Sequence, residues 1–317
     1  MPCYRPIECW RSKHVNPSGK RSLVFNQKYA LQPDDVQKIS CGVCIGCRMD
    51  KANEWSIRMM HESQYHDDNT FITLTYNDES LWSRDNPMSL DYRDIQLFHY
   101  RLRKKGYKFR FYMAGEYGPL NGRPHWHGIY FGLKIPDLED IRMSARQDIY
   151  YGSKTLEEIW GMGFVTIGNL TPESAAYTAR YTMKKQKGDT IRSKENANGL
   201  DMLGEPCRLH WTNPETGEIL PLSPERCAMS RRPGIGAQWI KDNLMDTYKD
   251  DFVVHGGRER RVPRYYDSFL QANDPWKFDD IKFDRQQKAL QMEQDLERLR
   301  IMEECKKYKT DKLVRYV

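Results

Sequence analysis

The sequence predicts an α+β protein built on one antiparallel sheet with flanking helices, preceded by a cysteine-rich segment and followed by a helical extension. Three observations carry this expectation. Between residues 70 and 187 the patterns run strand, helix, strand, strand, helix, strand, helix. Three cysteines recur at every third position in Cys41-Gly-Val-Cys44-Ile-Gly-Cys47. Residues 278–309 are dense in Gln, Glu, Lys, Leu and Met, the composition of a long exposed helix. The 317 residues suffice for roughly two domains, and 12% aromatic content is too high for a disordered tail. No apolar run approaches the roughly 18 residues of a membrane helix, and the opening Met1-Pro2-Cys3-Tyr4-Arg5-Pro6 lacks the apolar core of a secretory signal. Neither a membrane-spanning nor a secreted protein is expected. Fifty Lys+Arg against 44 Asp+Glu leave a net charge of +6, too modest to announce nucleic acid by itself.

Five of the eight cysteines precede residue 48. Thiolates at every third position of a Gly-bearing knuckle can turn toward one tetrahedral ion, with Cys3 or Cys9 as the fourth ligand of a structural Zn2+ site. An iron–sulfur cluster or a redox dithiol are the other uses of such spacing. Arg48 to His66 reads as a helix, and Thr70 to Tyr76, β-branched and aromatic, as a strand. Leu90 to Lys105 carries Ile95, Leu97, Phe98 and Leu102 at helical spacing and stops at Gly106. Lys108 to Tyr117 and Arg123 to Gly132 flank a Gly-Pro-Leu-Asn-Gly turn and predict a hairpin. Residues 137–160 look helical in pieces, Gly163 to Leu170 is a strand, and Thr171-Pro172-Glu173 opens a helix reaching about Lys187. This order is that of a ferredoxin-like or RRM-like βαββαβ unit, with helices on one side of the sheet and a polar face left for function. Residues 188–263 are Gly-, Pro- and Asn-rich and resist assignment beyond a helix near Ala237 to Tyr248.

The chemistry gathers in the hairpin. His125 and His127 in Pro124-His-Trp-His-Gly128 are two apart on a strand and share a face. Across the turn, Glu116 comes opposite His125, so one carboxylate and two imidazoles can converge on a divalent ion with coordination positions to spare. On the helix after the last strand, Tyr177 and Tyr181 are four apart on one face, with Arg180, Lys184, Lys185 and Lys187 around them. A nearby ammonium stabilises phenolate, and cations there suit phosphate. A second basic segment carries Arg101, Arg103, Lys104, Lys105, Lys108 and Arg110 between Tyr100, Tyr107 and Phe109, a mixture suited to phosphate tracking and base stacking.

Together these residues resemble the HUH endonuclease superfamily of rolling-circle replication initiators, and more closely the initiators of gokushoviruses, single-stranded DNA phages of the Microviridae. Phe71-Ile-Thr-Leu-Thr-Tyr76 resembles the family's first motif, Gly115-Glu-Tyr-Gly118 with Arg123-Pro-His-Trp-His-Gly128 its metal motif, and Tyr177-Thr-Ala-Arg-Tyr181-Thr-Met-Lys184 its two-tyrosine motif. The Cys3, Cys41, Cys44 and Cys47 set, Ser230-Arg-Arg-Pro-Gly-Ile-Gly236 and Pro263-Arg-Tyr-Tyr-Asp267 are also similar to the phage initiators. The departures are the bulky Trp126 between the histidines, Arg180 where some relatives carry Lys, and Cys9 as an extra thiol; the resemblance favours Cys3 as the fourth zinc ligand.

The resemblance implies an HUH endonuclease fold over residues 67–190, a zinc-binding segment with a leading helix over 1–66, and an irregular, then helical extension over 191–317. It implies that one tyrosine cuts origin DNA and stays on the 5′-phosphate until a hydroxyl rejoins the strand, while Glu116, His125 and His127 hold Mg2+ or Mn2+ and Lys184 assists the phenolate or phosphate. Arg101, Arg103, Lys104, Lys105, Lys108, Arg110, Arg180, Lys185 and Lys187 are expected to guide the strand. The partners implied are single-stranded origin DNA and a host helicase and polymerase, in the cytoplasm of a bacterial host. A hydrolytic metal nuclease and a non-catalytic zinc-dependent DNA-binding regulator are the rival readings of the same residues.

Overall fold

The computed structural model describes residues 3–118, 121–143, 149–184, 210–292 and 295–314, with side chains omitted at 142–143, 180–184 and 311–314. The chain divides into two compact units, one mainly from residues 1–50 and 286–317, the other mainly from 51–201 and 206–285.

In the first unit Ile7–Arg11 (β1) pairs antiparallel with Leu23–Val24 (β2) on one side and Gln37–Ile39 (β3) on the other. The cysteine knuckle then runs into Ile45–Ser63 (α1), which starts three residues before the predicted Arg48, so Cys47 already lies in the helix. Tyr4, Cys44 and Ile45 pack against Leu299 of the C-terminal helix Leu296–Val314 (α10). Arg5 pairs with the buried Glu303 of that helix at 2.6 Å. The single exposed helix expected over 278–309 is two helices, Pro275–Leu290 (α9) and α10, and α10 buries Leu299 and Glu303.

The second unit is organised by alternation. In Asn69–Thr75 (β4), Ile72 and Leu74 point to one face and Phe71, Thr73 and Thr75 to the other. Asp78–Trp82 (α2) and Tyr92–Lys104 (α3) follow, then the hairpin Arg110–Tyr117 (β5) and Pro124–Phe131 (β6). Glu139–Met143 (β7) and Ile149–Gly152 (β8) form a further hairpin before Lys154–Trp160 (α4), Val165–Asn169 (β9) and Pro172–Lys184 (α5). The short ribbon His210–Thr212 (β10) and Ile219–Pro221 (β11) precedes Cys227–Met229 (β12). The remaining elements are Ala237–Asp242 (α6), Leu244–Asp250 (α7), the hairpin Phe252–His255 (β13) and Arg258–Arg261 (β14), and Arg264–Asn273 (α8).

Seven strands make one antiparallel sheet in the order β12-β5-β6-β4-β9-β8-β7. Two parts of it differ from expectation. Residues 139–152, read as helical, supply β7 and β8, and β12 from the unassigned stretch adds an edge strand beside β5, pairing Cys227 with Ala114. Short strands of mixed composition carry too little alternation to be read from sequence.

One sheet face buries Ile72, Leu74, Met113, Trp126, Tyr130, Val165 and Ile167 under Ile95, Phe98 and Leu102 of α3 and Leu156, Ile159 and Trp160 of α4. The other face is covered as well, contrary to the expectation of helices on one side only. Tyr112 and Ile129, paired across β5 and β6, lie on it and need apolar cover. Trp55 of α1 lies 4.9 Å from the Tyr112 ring, and α5 packs over β5 and β6. A second core joins Ile57 of α1 to Ile240, Tyr248, Val253, Val262, Tyr266 and Leu270.

Candidate active site

The β5–β6 register pairs Glu116 with His125 and Ala114 with His127, as the hairpin spacing predicted, and β4 brings Thr73 beside His127. All lie on the face crossed by α5. Glu116 Oε2 sits 3.3 Å from His125 Nε2 and 3.5 Å from His127 Nε2, with Glu116 and His127 buried and His125 partly so.

The hydrogen bonds on the far side of each ring identify which nitrogen faces the carboxylate. His125 Nδ1 is 3.0 Å from the Arg123 carbonyl, which only accepts, so Nδ1 carries a proton and in the neutral ring the lone pair is on Nε2. His127 Nδ1 is 2.9 Å from Thr73 Oγ1, which can hold the same tautomer. A neutral Nε2 lone pair beside a carboxylate oxygen at 3.3 Å is repulsive unless a proton or a cation lies between. The donor set, one oxygen and two imidazole nitrogens whose ligand atoms fall within 4.8 Å of one another, fits a divalent ion.

Trp126, between the histidines, points to the other face and is fully buried. Its Nε1–H donates to Tyr76 Oη at 2.8 Å, Tyr76 donates to Asp94 Oδ2 at 2.8 Å, and Asp94 pairs with Arg84 at 2.6 Å. Burial pushes the Tyr76 phenol pKa up, so it stays a donor. The strand is thereby held from behind while its histidines face the site. Gly115 makes room for this, because a Cβ there would meet the Trp126 ring at 2.7 Å.

Helix α5 is set by a reciprocal cap. Thr171 Oγ1 accepts from the Ser174 amide at 3.1 Å, Ser174 Oγ accepts from the Thr171 amide at 2.9 Å, and Pro172 takes the first helical position. The small Ala175, Thr178 and Ala179 are fully buried, which lets the helix approach closely. Tyr177 then lies with its ring centroid 5.3 Å from His127 and 6.1 Å from Phe71, edge-on to both, while Phe71 stacks on His127 at 5.6 Å. Tyr181 is one turn further along α5; its side chain, with those of Arg180 and Lys184, lies outside the described residues, as do Lys185 and Lys187 altogether.

The other basic segment is not beside this site. Arg101, Arg103, Lys104 and Lys105 lie on α3 or at its end, over the opposite face, whereas Arg110 opens β5 on the site face some six residues, about 20 Å, along the strand from Glu116. Arg101 donates to the Ile159 and Trp160 carbonyls, Arg103 lies over the Phe109 ring at 4.7 Å, and Arg110 pairs with Glu62 and donates to the Pro233 carbonyl. These arginines join elements of the fold; Lys104, Lys105 and Lys108 are exposed. Sequence reasoning had no signal for this, since a basic run reads alike whichever face it occupies. It also missed Thr73, whose part depends on the β4–β6 register between segments fifty residues apart.

The cysteines converge in the first unit. Cys3, Cys41, Cys44 and Cys47 bring four sulfurs within 4.8 Å of one another, and Cys9 is buried in β1 outside the group, so Cys3 is the fourth member. Cys41 to Cys47 and Cys44 to Cys3 are each 3.9 Å, close to the edge of about 3.8 Å of a tetrahedron with Zn–S bonds of about 2.3 Å. Backbone amides of Tyr4, Cys41, Cys44 and Cys47 point at these sulfurs. Burial pushes the Cys3 thiol up to about 11, and bonding to Cys44 and Cys47 pulls Cys41 down while bonding to Cys41 and Cys44 holds Cys47 up. A metal such as Zn2+ fits the four sulfurs as thiolates.

Among the described residues no helix is long and apolar enough to cross a membrane. The family model for replication-associated protein ORF2/G2P matches residues 69–186, the stretch from β4 to the end of α5. The replication-associated protein VP4 of Bdellovibrio phage phiMH2K is 30% identical over 288 residues, 88% of this chain and 80% of its own length. The replication-associated protein ORF2 of Spiroplasma virus 4 is 30% identical over 91% of this chain and 87% of its own length. The replication-associated protein ORF4 of Chlamydia phage 1 is 33% identical over 51% of this chain and 45% of its own length. No solved structure matches the chain. The likeness to whole relatives, with the family match lying over the sheet and helix that carry Glu116, His125, His127 and Tyr177, makes this chain a member of the phage replication-associated protein family.

Proposed function

We propose that the protein is an HUH-type replication initiator that nicks single-stranded origin DNA by tyrosine transesterification and rejoins the ends in rolling-circle replication. The observation that carries this reading is the Tyr177 ring 5.3 Å from His127, beside a carboxylate and two imidazoles that converge on it. A strand order of β5-β6-β4-β9, the second, third, first and fourth strands of a βαββαβ unit, supports the fold the reading needs.

Glu116, His125 and His127 would hold Mg2+ or Mn2+, which when bound supplies polarisation of a non-bridging phosphate oxygen and offsets charge developing at phosphorus. The chain's own residues do the rest. The phenolic oxygen of Tyr177 attacks the scissile phosphorus, the bond from phosphorus to the 3′-oxygen breaks, and the departing oxygen takes a proton to become a 3′-hydroxyl. The phosphodiester is kept as a 5′-phosphotyrosine, so attack by another 3′-hydroxyl reverses the step and seals a strand. Tyr181, one turn away, gives a second nucleophile for a second cut while the first adduct persists, and Lys184 stabilises the phenolate or phosphate. Cys3, Cys41, Cys44 and Cys47 hold Zn2+ as a structural ion. The partners are single-stranded origin DNA and a host helicase and polymerase, in the bacterial cytoplasm.

Cleavage of a labelled single-stranded origin oligonucleotide with Mn2+ tests this. Glu116→Ala and His127→Ala are expected to lower cleavage at least about 100-fold, and Tyr177→Phe/Tyr181→Phe to abolish it. Cleavage persisting in the double tyrosine variant means water is the nucleophile. Undiminished activity in the His127 variant means that this triad is not the centre.

A further inference from the structure

The strand register continues the line of candidate metal ligands past the histidines. Glu116 of β5 lies opposite His125 of β6, and His125 lies opposite Thr75 of β4. Thr75 in turn exchanges both backbone hydrogen bonds with Phe164 at the entry to β9: its amide donates to the Phe164 carbonyl at 3.0 Å, and its carbonyl accepts from the Phe164 amide at 3.1 Å. Residues paired in this way across antiparallel strands carry their side chains on one face. Glu116, His125, Thr75 and Phe164 therefore form one row across four neighbouring strands. The alternation agrees, because Val165 and Ile167 are buried in the core of the opposite face, whereas Thr166 pairs with Thr73 on the site face. Strands stand about 4.8 Å apart, so Phe164 lies two strands, about 10 Å, from His125.

At that end of the row the face is open. Helix α5 packs over β5 and β6, while Thr75 and Thr166 are only partly buried and Phe164 is 60% exposed. A single exposed apolar side chain is ordinary on a protein surface, and the position of this one is what distinguishes it. Trp276, Phe283 and Tyr100 are comparably or more exposed, but they belong to helices α9 and α3 rather than to the site face of the sheet. The backbone beneath the Phe164 ring is also fixed. Besides the two bonds to Thr75, the Asn77 amide donates to the Met162 carbonyl at 2.9 Å, which laces residues 162–164 to the end of β4. An open aromatic ring on a fixed backbone gives up little conformational freedom when a planar partner covers it.

We propose that Phe164 is a stacking platform for an unpaired base flanking the phosphate held at Glu116, His125 and His127. The inference rests on the reading of the protein as an initiator acting on single-stranded DNA, and deepens it by naming a residue that holds the strand. A phosphate at the ligands places the neighbouring base within reach of a ring about 10 Å along the row. Every base has a planar face, so the contact tolerates any sequence and fixes the strand without reading it.

The test is binding of fluorescein-labelled single-stranded origin DNA with Mn2+ by the full-length chain in the Tyr177→Phe/Tyr181→Phe background, first intact and then with an abasic nucleotide moved along the strand. Adding Phe164→Ala is expected to weaken binding about 5- to 100-fold with an unaltered thermal midpoint. Phe164→Trp restores the affinity, Phe164→Leu, which is apolar but has no ring, does not, and Phe283→Ala, which removes an equally exposed ring from α9, leaves it unchanged. With Phe164 present, one abasic position costs a similar factor; with Phe164→Ala that position costs nothing more, because the ring that its base covered is already gone. An affinity unchanged by Phe164→Ala, or an abasic profile that the substitution leaves as it was, overturns the platform, and a tyrosine adduct formed by the parent chain then leaves the initiator reading standing. If the abasic position and the variants behave as expected while the parent chain forms no adduct, the platform stands and the transesterification reading fails.

Discussion

Thr73 shows how one residue serves the site without touching substrate. Its hydroxyl lies 2.9 Å from His127 Nδ1, where it orients the ring and leaves Nε2 directed at Glu116. Thr73→Val keeps the shape and the β-branch but removes the hydroxyl, and is expected to weaken Mn2+ binding about 10- to 100-fold, with Thr73→Ser restoring it. Calorimetric titration of Mn2+ into the three proteins reads this directly; equal affinities mean that Thr73 only fills space. At this scale the sequence was most legible for side chains whose geometry is local. His125 and His127 are two apart, Glu116 faces them across a short turn, and Tyr177 and Tyr181 are one helical turn apart, so period and turn length suffice. Thr73, Phe71 and the buried relay from Trp126 through Tyr76 and Asp94 to Arg84 depend on pairings between distant segments, which no spacing encodes.

At the scale of elements, the long periodic segments were readable and the short ones were not. β4, α3, β5, β6, β9 and α5 have the alternation or helical spacing of half-buried elements. The hairpin β7–β8 is outside that set, with Ile141 and Ile149 exposed, as is the three-residue edge strand β12. The turn entering β9 is a sensitive point. Gly163 has φ of +145°, and a Cβ there would lie 2.4 Å from the Thr75 carbonyl oxygen and 2.5 Å from the Asn77 amide nitrogen, both backbone atoms that cannot swing away. This turn ties the end of β4 to β9 through reciprocal Thr75 and Phe164 hydrogen bonds. Gly163→Ala is expected to cost about 2–4 kcal/mol, read as a lower urea midpoint with unchanged m-value; a cost under about 0.5 kcal/mol shows that the turn relaxes freely.

For the whole molecule, stability is coupled to two histidines outside the group of Glu116, His125 and His127. Burial pushes His61, bonded to Tyr266 Oη at 2.9 Å, and His99, bonded to Tyr130 Oη at 3.0 Å, each down to about 3 from an ordinary 6.5. Below pH 6.5 the unfolded chain takes up a proton at each site that the folded chain refuses. The stability they confer is therefore complete above pH 6.5 and drains away as pH falls toward 3. At pH 5 the loss is about 2 kcal/mol per histidine, so urea midpoints should fall clearly between pH 7.5 and 5.0. His99→Gln should remove its share of that dependence, and identical pH slopes in the variant and the wild type would assign the effect to other groups. The central claim concerns the bond formed at the tyrosine helix. Its most direct measurement is mass spectrometry of protein denatured after incubation with Mn2+ and single-stranded origin DNA. A nucleotide joined through its 5′-phosphate to the peptide containing Tyr177 and Tyr181 is the predicted result; cut DNA with that peptide unmodified contradicts it.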